Sequence, residues 1–527
     1  MVLMVQTRPR SKLYQDQFGN DNNSSFHQSN QLLSPVYCAA TVAACTGYIY
    51  GYNTTIISGV SFTLVNNTYF TNTHEGSQLS YLQGLLTSTI MIGGMIGSFI
   101  GPIMANKYGR RFGLFICGAI CTIFCIILGS VNNFIAVCIV RGLVGIGVGI
   151  SCTVGPLYMA EVSPIELRGS LGVLFEVGIA FGMLISLLIN YVMSPGLNGS
   201  VDSSLDRTTY GIEFGLGGIG GIALMILPYV LPETNVHNHH NNNKILEQLP
   251  GICDQTVRPP SYHQPHTSTD HIIQHNNNNT TDCNIIGANV IQIQLEPIIT
   301  SIQPHRQAWK YLLTTRQGAY YVFISTLLCA TDMWTGINSV FFYSPTIFTN
   351  AGLSNVLLYT FIFVGIWNLI TCIVPYYCVD RFGRRPLFCI SLVGMTISML
   401  LLALDYIVLP SSVSPALSIV FVLLFLAMWQ LGTGGLFFLL AAELYPDHIR
   451  EEAMTLTNMT SWAMNITMSL IFPGLTSTIG IGYTILIQFG VSLVCTALSI
   501  LYIPETKHQA FAATQLIHNC IPNSVVH

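Results

Sequence analysis

Asn106-Lys-Tyr-Gly-Arg-Arg111 and Asp380-Arg-Phe-Gly-Arg-Arg385 are one short pattern written twice, and each copy separates two long apolar runs. A second pattern recurs further along each copy. Ala160-Glu-Val-Ser-Pro-Ile-Glu-Leu-Arg168 closes one apolar run, and Ala442-Glu-Leu-Tyr-Pro-Asp-His-Ile-Arg450 closes another, both reading A-E-x-x-P-x-x-x-R. Arg110 recurs as Arg384 and Glu161 as Glu443, so the chain holds two parallel copies of one architecture. Around these motifs lie apolar segments near 37–60, 80–104, 112–130, 134–159, 170–193 and 211–231. After a polar stretch they resume at 318–348, 356–378, 386–409, 414–440, 452–476 and 480–503. About 20 apolar residues suffice to cross a bilayer as a helix, so the pattern predicts twelve spanning helices in two groups of six.

Composition points the same way. Of 527 residues 51% are hydrophobic and only 8% charged, with a mean hydropathy of +0.55. A soluble domain carries about 25% charged residues, so there is too little charge to cover a water-facing surface. The net charge of −4 and the lack of a basic cluster argue against nucleic acid as a partner; the bilayer is the expected surrounding. Lys and Arg gather in alternate connections, including Lys107, Arg110, Arg111, Arg168, Arg306, Lys310, Arg381, Arg384, Arg385, Arg450 and Lys507, whereas Arg207 is alone on the other side. The positive-inside rule then places both termini in the cytosol.

The expected divisions are a cytosolic tail at 1–36, a six-helix bundle at 37–231, a cytosolic loop at 232–317, a second bundle at 318–503 and a tail at 504–527. The first 33 residues have no apolar core, so the first span is expected to serve as the insertion signal. Asn66 and Asn198 begin sequons on the outer side, where glycosylation is expected; Asn53 and Asn465 also match but fall inside spans. Most of the 15 cysteines sit in apolar runs without metal-ligand spacing. The loop holds His237, His239 and His240 among asparagines, a composition that suits a flexible polar linker and, less readily, a metal site.

Parallel repeats about an axis along the membrane normal are a transporter plan, with the solute site at the midplane between them. The repeated motifs all fall at cytosolic helix ends. Arg110, Arg111, Glu161, Arg168, Asp380, Arg384, Arg385, Glu443 and Arg450 form the expected gating network, which holds the halves together inside and breaks when the cavity opens inward. Topogenic charge alone accounts for the cations but not for glutamates at matched positions. No nucleophile–base set, metal cluster or phosphate loop suggests an enzyme or a cofactor, and the glycines at 142, 145, 147 and 149 suit close helix packing better than nucleotide binding.

At these motifs the chain resembles the sugar porters of the major facilitator superfamily, an all-α membrane fold, and most nearly the animal facilitative hexose transporters. Supporting fragments are Gly51-Tyr-Asn-Thr54, Gly93-Gly-Met-Ile-Gly-Ser98, Pro156-Leu-Tyr-Met-Ala-Glu161, Gly336-Ile-Asn338, Phe341-Phe-Tyr-Ser344 and Pro504-Glu-Thr-Lys507. The resemblance covers roughly 37–233 and 309–507. It implies facilitated movement of hexoses by alternating access, by a monomeric carrier of the plasma membrane. It also implies a site of polar side chains and aromatics, because hydroxyls need paired donors and acceptors and the sugar ring needs an apolar face. Asn338, Asn368, Trp462 and Asn465 fall where the family contacts sugar.

The pocket departs from the family pattern. The glutamine pair before Gly-Ile-Asn is Asp332-Met333, the fifth-span glutamine is Glu176, and the tenth-span tryptophan is Phe438 in a segment reading Gly432-Thr-Gly-Gly-Leu-Phe437. The tripeptide tied to glucose preference is Cys329-Ala-Thr331. Glu176, Asp332 and Phe438 therefore join the expected substrate contacts. Intramembrane acids are expensive and usually functional. They open two alternatives to uniport of hexoses: proton-coupled symport of a sugar or polyol through Asp332 or Glu176, and a cationic or amine-bearing substrate. Proton-coupled porters carry aspartate in the first-span motif, where this chain has Asn53. A third alternative keeps the fold but not the transport, as a nutrient sensor.

Overall fold

In the computed structural model, residues 22–66, 76–131, 133–162, 168–193, 207–231, 305–408, 415–446 and 449–505 are described. Twelve helical rods follow one another through them. In the first half they are α1 (Asn22–Thr55, then Ile57–Asn66), α2 (Gly76–Tyr108), α3 (Arg110–Ser130), α4 (Phe134–Val162), α5 (Arg168–Met193) and α6 (Arg207–Leu216, then Gly218–Ile226). In the second half α7 runs as Arg316–Met333 and Ile337–Asn350, and α8 from Val356–Tyr359 to Val374–Phe382. The rest are α9 (Arg384–Val408), α10 (Pro415–Trp429 to Gly435–Leu444), α11 (Arg450–Ile479) and α12 (Ile481–Tyr502). Among the described residues α2, α3, α4, α5, α6, α9, α10 and α12 hold continuous stretches long and apolar enough to cross a bilayer. The other four are broken or polar. α1 is interrupted at Ile56, α7 at Trp334–Gly336 and α8 near Cys372, while α11 begins Arg450-Glu-Glu452.

The repeated motif explains the turns. Gly109 has φ 99° between α2 and α3, and Gly383 has φ 94° between α8 and α9. A residue with a Cβ is strained there, so the same glycine makes the same left-handed corner in each copy. Gly336, at φ 107°, breaks α7 in the same way and opens its middle toward the interior.

Helix packing repeats with the sequence. α1 packs on α5 as α7 packs on α11, α2 on α4 as α8 on α10, and α3 on α6 as α9 on α12. The halves meet along two seams, α2 with α11 and α5 with α8, which exchange under the same pseudo-twofold. Within the first half the seams are made of glycine. A Cβ on Gly93 would run into the carbonyl oxygen of Gly142, one on Gly149 into that of Gly94, and one on Gly51 into that of Ile179. With little apolar driving force between helices in lipid, such close approach supplies dispersion contact instead.

Some boundaries differ from expectation. α1 is already helical at Asn22, inside the expected tail, and the expected loop ends in a short helix, His305–Thr314. Helices outrun the apolar segments because hydropathy marks only the hydrocarbon thickness and not where a helix stops. Residues 1–21, 232–304 and 506–527 lie outside the described residues, and with them the His237–His240 cluster. So do Asn198 and the side chain of Asn66. Asn53 and Asn465 are buried, as chance sequons within spans should be.

Candidate functional site

A cavity lies between the halves. Its wall comes from α1, α4 and α5 on one side and α7, α10 and α11 on the other, the equivalent three helices of each copy. α11 presents Asn458, Ser461, Trp462 and Asn465, a polar stripe at the i, i+3, i+4, i+7 spacing of one helix face. α7 supplies Asp332 just before its break and Asn338 just after it, so the Gly336 corner turns both toward the cavity.

Aromatic faces close much of the wall. Tyr50 meets Trp462 edge-on with ring centroids 5.6 Å apart, Phe341 meets Trp429 at 5.4 Å, and Phe175 meets Phe438 at 5.2 Å. The Trp462 Nε1–H donates to Ser98 Oγ at 2.9 Å, tying α11 to α2 across the seam. Gly94 makes room for that indole, since a Cβ there would stand 2.8 Å from the ring. The Trp429 Nε1–H donates to Asp332 Oδ1 at 2.9 Å, which fixes one carboxylate oxygen and leaves the other to the cavity. Glu176 forms no hydrogen bond with another described residue, although it is only 6% exposed.

Six of the seven expected contacts, Glu176, Asp332, Asn338, Phe438, Trp462 and Asn465, line this cavity. Asn368 does not. Its Oδ1 accepts from Gln430 Nε2 at 2.8 Å, and its amide faces the sulfur of Met183, which does line the cavity. A π-helical turn at Thr360–Ile366 precedes it and resets the face that α8 presents, so Asn368 ties α8 to α10 behind the wall. Tyr50, Thr54, Trp429, Asn458 and Ser461 were not singled out from the sequence. The α11 stripe could have revealed Asn458 and Ser461, whereas an aromatic in an apolar span reads equally well as core.

The charged layer lies at the ends that carry the repeated motifs. Arg110 Nη2 and Nε donate to Glu161 at 2.8 and 3.1 Å, joining α3 to α4. Arg384 Nη2 donates to Glu443 at 3.3 Å, joining α9 to α10 in the equivalent place. The second arginine of each motif has a different partner. Arg111 Nε donates to the Pro228 carbonyl at 2.6 Å, and Arg385 Nη2 to the Ile500 carbonyl at 2.9 Å. Each cation thus caps the C-terminal end of α6 or α12, where helix carbonyls lack partners. Glu505, from the Pro504-Glu-Thr-Lys507 motif, accepts from the Arg384 and Arg385 N–H groups at the start of α9.

Arg450 donates to the Tyr445 carbonyl at 3.2 Å, within its own half. The side chains of Arg168 and Asp380 lie outside the described residues. A bond that crosses between halves in this layer was not foreseen: the Asn106 amide donates to Glu451, and Arg110 donates in turn to Asn106. Glu161, Arg110, Asn106 and Glu451 therefore form one chain from α4 to α11.

The profile of the family described as "Sugar (and other) transporter" matches residues 39–517. Among known proteins, the probable metabolite transport protein CsbC of Bacillus subtilis is 26% identical over 469 residues, 88% of this chain and 90% of its own. The human solute carrier family 2, facilitated glucose transporter member 3, is 26% identical over 504 residues, covering 90% of each chain. Among solved structures, the proton:xylose symporter XylE bound to 6-bromo-6-deoxy-D-glucose superposes with a TM-score of 0.69, covering 90% of this chain and 97% of that one at 23% identity. That likeness carries the major facilitator fold. With its two six-helix copies and a family match running almost from end to end, the chain belongs to the sugar transporter family of multi-pass membrane proteins.

Proposed function

We propose that the protein is a facilitative carrier of hexose-like sugars, working by alternating access around the central cavity. The observation that carries this reading is a wall to which the equivalent three helices of both copies contribute, combining hydroxyl-pairing groups (Asn338, Asn458, Asn465) with aromatic faces (Tyr50, Trp462). A monosaccharide needs both. Rocking of one bundle against the other would expose such a wall to each side in turn.

Uniport is favoured by the surroundings of Arg141. That side chain is 1% exposed, donates to the carbonyls of Leu86 and Asn53 at 3.2 and 3.5 Å, and stands 5.6 Å over the Phe214 ring. Its first-span neighbour is the amide Asn53, which cannot carry a proton through a cycle. Symport is the second reading, and the two cavity acids, Glu176 and Asp332, favour it. The proposal includes a monomer in the plasma membrane with cytosolic termini, glycosylated at Asn66 or Asn198. It also includes a cytosolic gate made of the two Arg–Glu pairs and the Asn106–Glu451 bridge.

Radiolabelled hexose uptake into transporter-deficient cells, at two external pH values and with a protonophore, tests this reading. Saturable uptake insensitive to the protonophore is the expected result. Uptake abolished by the protonophore would replace uniport with symport, and absence of any hexose flux from surface-expressed protein would overturn the carrier.

A further inference from the structure

We propose that the cavity selects monosaccharides bearing a protonated amine, held between Glu176 and Asp332. The inference rests on the carrier reading and names the substrate class of the same site. Both acids line the cavity, at 6% and 5% exposure, and among the described residues no Lys, Arg or His lines it with them. The titratable groups near Glu176 on other elements are Tyr50 of α1, Cys152 of α4, Asp332 of α7 and Cys372 of α8, none of them cationic. Two carboxylates that share a low-dielectric cavity without a countercharge are costly; taking up a proton removes part of that cost, and a bound cation removes it while leaving both groups ionised.

The hydrogen bonding points the same way. Glu176 has no protein partner among the described residues, and Asp332 has one, from Trp429. An ionised carboxylate only accepts, so at both places a sugar hydroxyl finds no donor for its oxygen. An ammonium has three donors and nothing to accept, which matches two acceptors with free lone pairs. The Tyr50, Trp462 and Trp429 rings supply π-faces in the same wall, and such faces attract organic cations. Asn338, Asn458 and Asn465 remain for the hydroxyls, which keeps the ligand a sugar and not a simple amine.

The test is equilibrium binding to the purified protein, read by intrinsic tryptophan fluorescence, with D-glucosamine, D-glucose and N-acetyl-D-glucosamine. An amine on a carbon between oxygenated neighbours titrates near the α-amino range of about 8, so measurement below about pH 7 keeps it charged. Expected is glucosamine binding about tenfold tighter than glucose, equivalent to ~1.4 kcal/mol, with the advantage lost on N-acetylation. Glu176→Gln should bring glucosamine to parity while glucose binds as well or better, because the amide restores a donor. Glucosamine binding no tighter than glucose, or N-acetylglucosamine binding as tightly as glucosamine, would overturn the proposal; so would an advantage that survives in both Glu176→Gln and Asp332→Asn. If a variant fails to fold, the comparison of the three sugars on the unmodified protein decides alone. Failure of every sugar to bind would remove the carrier reading as well, a result distinct from binding without preference for the amine.

Discussion

Replacing Glu451 by alanine should bias the carrier toward its inward-open state. The Asn106–Glu451 bond joins α2 to α11, and Arg110 continues it to Glu161 on α4. A hydrogen bond to a charged group contributes about 1.5–3 kcal/mol when well buried. Asn106 and Glu451 are both partly exposed, and exposed charged contacts contribute about 0–1 kcal/mol. We therefore take ~1 kcal/mol, which is about a fivefold change in the ratio of the two states. The deeper seam contact, Trp462 to Ser98, is untouched by the substitution. Cys152 in the cavity wall is a built-in reporter. A membrane-impermeant maleimide applied to the cytosolic face of inside-out vesicles should modify it about fivefold faster in Glu451→Ala, as read by peptide mass spectrometry. Asn106→Ala should give at least a similar increase, and the double variant little more than Asn106→Ala alone, because the two substitutions share the Asn106–Glu451 bond. Unchanged labelling, or effects of the two substitutions that add in full, would refute the bridge as a gate.

Other consequences follow from the same geometry. Arg110 holds Glu161 through two nitrogens and its side chain is 5% exposed, whereas the Arg384–Glu443 pair has one longer contact at 16% and 25% exposure. Arg110→Ala should therefore lower the melting temperature in detergent more than Arg384→Ala, and the reverse order would contradict the pairing. Gly93→Val places a branched side chain against the Gly142 carbonyl, so a loss of at least ~1–3 kcal/mol is expected from overpacking. Thermal unfolding with native yield reads this, and a normal melting curve would show that α2 and α4 do not meet as described. Asn458→Ala should raise the sugar KM with little effect on melting, while Asn368→Ala should lower melting by freeing Gln430 and leave KM within about twofold.

The two-copy plan was legible because its signals are local and repeated. Gly109 and Gly383 adopt the same positive φ, and Arg111 and Arg385 cap equivalent helix ends, so each sequence repeat is also a repeat of geometry. The α11 face was legible in principle, since Asn458, Ser461, Trp462 and Asn465 keep one helical period in a span that needs no polar group for lipid. Asn368 stands behind the wall and not in it; a lone polar residue in an apolar run does not declare its face, and the π turn before it shifts the register. The Asn106–Glu451 bridge lay beyond reach for another reason. It joins residues remote in the chain and unequal in the two motif copies, so it exists only once the halves are docked. Tyr50 and Trp429 carry no pattern that separates a cavity wall from a core.

Counterflow in proteoliposomes tests whether the central cavity carries sugar across the membrane. Purified protein is reconstituted, loaded with unlabelled hexose and diluted into a trace of labelled hexose without any ion gradient. Transient accumulation of label above the external concentration is the expected result, because one mobile site returns loaded in each direction. Equilibration without overshoot would mean a pore, and no entry at all, from protein shown to bind sugar, would mean a fold that senses but does not carry.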